Sequence, residues 1–222
     1  MCFTPYISLS TFIIEFLLAL YFLLKNPKDK LNQVISLLSF LLGLYQLSEF
    51  LICVTGINLF ALFARIITAI LPALAISYAL VLSRRKIRFW NILIYAPAIF
   101  FILMFILSNS NPISATCSKV FIGFSSLGLL GKFFGSYYLL YIFGSVIAFS
   151  YVASKSTSKY EKTLTLLGMA GMFLFTVPTF IFLLFLPEFE IQFPSVLCEF
   201  GLLLAIELVV VLWYKNKHNL KY

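Results

Sequence analysis

The chain is 222 residues long, 62% hydrophobic and only 11% charged, with a mean hydropathy of +1.05 and a formal net charge of +8. A water-soluble domain of this size cannot bury so much apolar surface, so the composition excludes one and predicts an integral membrane protein with the lipid bilayer as its solvent. The positive charge does not call for nucleic acid, because it gathers in short segments between apolar runs, where an anionic leaflet surface would attract it.

Apolar runs cover residues 6–24, 31–53, 57–82, 89–108, 132–153, 162–186 and 195–214. Each approaches the roughly 20 residues that a helix needs to cross hydrocarbon, and none alternates polar with apolar residues as a barrel strand would. The expected fold is an all-α bundle of seven transmembrane helices forming a single membrane domain over 1–222.

The first run lacks a basic leader and a small-residue cleavage site, so it is expected to stay as a helix. At 100° per residue its Ser8, Thr11, Glu15 and Ala19 share a face. In the second run Ser36, Ser39, Gly43, Gln46 and Glu49 fall within one arc, and in the third Ala61, Arg65, Thr68, Pro72, Ala75 and Ala79 do the same. These faces should point inward, since small residues allow close helix approach and polar ones hydrogen-bond across the contact.

A short VTGIN turn makes the second and third helices antiparallel neighbours, which puts Glu49 and Arg65 at similar depth. Two roles fit an intramembrane pair of opposite charge: a structural clamp, or part of a ligand-responsive site. Pro72, Pro97 and Pro178 should each kink a helix.

Residues 109–131 form the one long connection, and their β-branched and aromatic residues around Gly123 suggest a β-hairpin lying over the bundle mouth as a lid. The fifth run places Tyr137, Tyr141, Gly144, Ala148 and Tyr151 along one stripe, suited either to a pocket wall or to interfacial anchoring. The seventh carries Glu199 and Glu207. With Glu15 and Glu49 these make four intramembrane carboxyls against one cation, Arg65, so some must be protonated or be served by a cation, a water-filled cavity or a partner chain.

Basic residues cluster in alternate connections, at Lys25, Lys28 and Lys30, at Arg84, Arg85, Lys86 and Arg88, at Lys155, Lys159 and Lys162, and in the tail 215–222. That bias predicts an outside N-terminus and a basic cytoplasmic C-terminal tail. All four cysteines then face the exterior: Cys2 and Cys117 are the candidates for a disulfide, with Cys53 and Cys198 equally suited to being buried thiols.

The only histidine, His218, lies in the tail, which argues against haem or a histidine-based metal site. No P-loop, HExxH or GxSxG motif occurs, and no catalytic residues are expected, so the sequence argues against an enzyme and calls for no cofactor.

Several stretches carry a family likeness: NPKDKLNQVISLLSFLLGLYQLSEFL into the second helix, FARIITAILPALAISYALVLSRR through the third, GSYYLLYIFG in the fifth, then EKTLTLLGMAGMF and LPEFEIQFPS. In these the chain resembles, over nearly its whole length, the seven-transmembrane N-terminal sensor region of bacterial and archaeal histidine kinases. The resemblance implies a multi-pass plasma-membrane protein that senses an external ligand or membrane state and signals inward through its seventh helix. Eight residues follow that helix, without a phosphoacceptor helix or ATP-binding module, so the implied output lies in a separate protein. On this reading a small ligand or partner would sit in the outer half among Glu49, Arg65, Tyr137 and Glu199. An accessory or scaffold subunit of a larger membrane complex is the alternative, and ion or proton transport through the carboxylates Glu15 and Glu207 is a weaker one.

Overall fold

A computed structural model describes residues 4–83, 88–107, 115–117, 122–124, 128–185, 200–220 and 222. Among them are seven helices: α1 (Thr4–Lys25), α2 (Lys30–Thr55), α3 (Asn58–Leu82), α4 (Arg88–Leu107), α5 (Gly128–Lys155), α6 (Lys159–Phe185) and α7 (Gly201–Lys217). Two three-residue strands, β1 (Ala115–Cys117) and β2 (Ile122–Phe124), lie between α4 and α5 and pair antiparallel, with Thr116 opposite Gly123. Four of the helices, α1, α2, α3 and α5, are long and apolar enough to cross a membrane. The protein is an all-α membrane protein.

Its surface and interior confirm the solvent. Leu24, Ile92, Leu107, Leu140 and Ile147 stand exposed, whereas Ser8, Glu15, Asn32, Ser39, Gln46 and Glu49 are buried. Large apolar side chains outside and several polar ones inside depart from the pattern of a protein folded in water. Lipid tails are as apolar as leucine, so association of these helices rests on close packing and interhelical hydrogen bonds rather than on removing apolar surface from water.

Helix boundaries have local causes. Asp29 stands at the N-cap of α2 with an extended backbone, and its carboxylate accepts the Asn32 N–H at 3.1 Å. Gly56 ends the same helix in the left-handed conformation, φ 67°, and donates its N–H to Ile52 at 2.9 Å. Any side chain at position 56 would strain that turn, which folds α3 back along α2.

α3 is the central helix, packed against α2, α4, α5 and α6, while α7 closes the ring by touching α6, α1 and α2. On α1 the predicted inner face is indeed buried, with Ser8 and Glu15 fully inaccessible. α5 departs from expectation. Its buried face is Phe134, Tyr137, Tyr138, Ile142, Ser145, Phe149, Val152 and Ala153, so the expected tyrosine stripe is split, with Tyr137 inside and Tyr151 48% exposed. α5 is apolar nearly all round, so its neighbours rather than its own periodicity select the buried side.

Candidate functional site

Polar side chains collect at three levels of the bundle. At the first, Glu49 on α2 is fully buried and accepts the Ser8 hydroxyl of α1 at 3.4 Å. Glu49 precedes Gly56 by seven residues and Arg65 follows it by nine, so the rise of about 1.5 Å per residue leaves them at similar depth on adjacent helices. Arg65 is half-buried and lies within electrostatic reach of the buried Tyr45 of α2. Tyr137 approaches the same region from α5. Its hydroxyl donates to the Ala69 carbonyl, one turn along α3 from Arg65, at 2.8 Å. This is beside the Thr68 carbonyl, which Pro72 deprives of its helical donor.

A covalent tie lies above this cluster. Cys117 of β1 is disulfide-bonded to Cys53, one turn beyond Glu49 on α2, and β1 rests against α2. The expectation for Cys117 therefore needs its partner corrected, since Cys53 is bonded rather than a buried thiol and Cys117 is not left for Cys2. The pairing follows from the α2–α3 turn, which ends α2 beside β1. Cys2, Cys198 and Glu199 lie outside the described residues.

At the second level, Glu15 of α1 is fully buried, and neither of its oxygens finds a hydrogen-bond partner among the described residues. Glycines make its room: a Cβ at Gly43 of α2 would lie 3.4 Å from the Glu15 Cβ, and one at Gly201 of α7 would lie 3.3 Å from Oε1. Glu207 of α7 is likewise buried, with both oxygens unpartnered, against Gly171 of α6, where any Cβ would overlap its carboxyl group. Tyr78 of α3 is within electrostatic reach of Glu207, and its hydroxyl lies where a Cβ on Gly168 would come within 2.8 Å. Glycines 168, 171 and 201 escaped sequence reasoning. Their only signal is small-residue spacing opposite a carboxyl on another helix.

The third level was not anticipated at all. Lys215, which hydropathy assigns to a basic tail, is 1% exposed and holds the Asp29 carboxylate at 2.7 Å. It also donates to the Asn32 side chain, whose amide in turn donates to the Phe22 carbonyl at 3.0 Å. Burial pushes the Lys215 pKa down, and Asp29 opposes that shift. The second oxygen of Asp29 accepts the Tyr222 N–H at 3.2 Å, and the Lys30 N–H donates to the Tyr222 carbonyl at 3.3 Å. Residues 215–220 and 222 are thus not simply a solvated tail, because α7 continues to Lys217 and Leu220 and Tyr222 pack against the core. His218 stacks on Tyr160 at the start of α6, with ring centroids 4.3 Å apart.

Between the levels, an apolar void of about 20 Å³ lies beside Pro72, lined also by Leu42, Leu71, Ala75 and Tyr138. Among the described residues, no three His, Cys, Asp or Glu side chains converge as metal ligands would. No family model and no curated protein matches the chain.

Proposed function

We propose that the protein is a stand-alone sensor of the seven-transmembrane, receptor-like type, in the plasma membrane, that binds a small ligand or partner at its outer half and signals through a separate protein. The observation that carries this reading is the burial of Glu49, within one turn of a disulfide that tethers β1 over the end of α2. A disulfide belongs on an oxidising face, so the Cys53 end is assigned to the exterior and the end bearing Lys25, Lys28, Lys30, Lys155, Lys159 and Lys162 to the cytoplasm. β1 and β2 then act as a small outer lid.

Pro72 at the centre of α3 and the void beside it give the bundle somewhere to repack, and α7 ends in an ion pair on the opposite side from Glu49. A ligand that prefers one arrangement of α3 and α7 would bias the Asp29–Lys215 end, where a cytoplasmic partner reads it.

Gentle extraction from the host, followed by mass spectrometry of proteins retained in fixed ratio, tests the proposal. A cytoplasmic signalling protein should be recovered, with recovery altered by Glu49→Gln or Arg65→Met while the chain stays folded. Recovery of integral membrane subunits alone would replace the sensor by an accessory or scaffold role.

Glu15 and Glu207, without hydrogen-bond partners among the described residues, favour a second reading, ion or proton transport. That reading requires a pH-dependent flux in reconstituted vesicles, abolished by Glu15→Gln.

A further inference from the structure

An open cleft of about 330 Å³ lies between α1 and α2 on the outer surface of the bundle. Phe16, Leu20, Leu23, Leu37 and Phe40 form its apolar walls, and Gln33 and Ser36 are its polar members. Ser36 is already satisfied by the Ala19 carbonyl at 2.7 Å. What remains is an apolar slot, and from Phe16 to Leu23 it extends about 10 Å along the helix axis.

The Leu23 and Gln33 end of the slot lies nearest the α1–α2 connection, where Lys25, Lys28 and Lys30 are all exposed. Among the described residues, Asp29 is the one acidic side chain in this connection and pairs with the buried Lys215, so three lysines cluster at this end of a hydrocarbon-lined slot. Lys30 lies one turn before Gln33 on the cleft-facing side of α2. Apolar walls accept an acyl chain, and clustered lysines at headgroup depth attract an anionic phosphate.

We propose that this cleft binds an anionic phospholipid, with one acyl chain between α1 and α2 and its phosphate against Lys28 and Lys30. The site is independent of the outer cluster at Glu49 and is set beside the Asp29–Lys215 pair. An occupied cleft would wedge α1 against α2 next to the capping Asp29, making lipid charge a second input to the same end of the bundle.

The test is native mass spectrometry of the full chain released from nanodiscs of equimolar phosphatidylglycerol and phosphatidylcholine. One phosphatidylglycerol should be retained in preference to phosphatidylcholine, and Lys30→Gln should lower that preference about fivefold. Leu37→Trp, at a position already 45% exposed, should fill the slot and release the lipid without disturbing the core. Lys159→Gln, outside the cleft, should leave retention unchanged. Equal retention of both lipids, or retention indifferent to Lys30→Gln and Leu37→Trp, overturns the proposal. So does a disulfide cross-link between two copies through Leu37→Cys, because a second chain would then occupy the slot.

Discussion

Cys53 stands one helical turn beyond Glu49 on α2, so the disulfide to Cys117 anchors β1 against α2 within a turn of a fully buried carboxyl. A bond closing a separation of 64 residues contributes about 4 kcal/mol by loop-closure entropy. Cys53→Ser and Cys117→Ser should each lower thermal stability in detergent, and the double variant should be no worse than either single one. Peptide mapping without reductant should recover the Cys53–Cys117 cross-link; a fragment joining Cys117 to Cys2 would refute the assignment.

Gly171 makes space for the Glu207 carboxyl. Gly171→Ala should cost about 1–3 kcal/mol through overpacking, partly offset by the better helix propensity of alanine. Truncation to Glu207→Ala should relieve that cost, so the two changes should be non-additive in a thermal-denaturation cycle. Additive losses would mean the two residues do not meet.

Lys215 and Asp29 form a buried pair, and removing one partner leaves the other uncompensated. Lys215→Met should therefore destabilise by about 3–5 kcal/mol. Asp29→Asn keeps an N-cap oxygen for α2, which separates loss of charge from loss of the cap. The combined variant, Asp29→Asn with Lys215→Met, should be more stable than Lys215→Met alone.

Tyr137→Phe removes only the hydroxyl donated to Ala69 near Pro72. Its expected cost in detergent is about 0.6 kcal/mol, the usual scale for an interhelical hydrogen bond in a membrane bundle. If Tyr137 contacts ligand as well, the variant should alter response by more than that loss of stability explains.

The helices and several inner faces were legible from the sequence. In a bilayer each segment must satisfy its own backbone hydrogen bonds, so hydropathy finds the helices, and a 3.6-residue repeat of small and polar side chains marks Ser8, Thr11, Glu15 and Ala19 as inward. The burial of Glu49 was legible too, because it lies on the polar arc of α2.

Meetings between distant segments were decided by tertiary structure. Four cysteines allow three pairings, and only the approach of β1 to the end of α2 selects Cys53 for Cys117. Hydropathy assigns Lys215 to solvent, but α7 runs on beyond its apolar span and carries that lysine to Asp29. α5, apolar on every side, had no preferred face of its own until α3 and α6 packed against it. Local periodicity can specify which way a helix turns a polar residue, but which residue it meets depends on the rotation and neighbours of a second helix, and that information lies in packing.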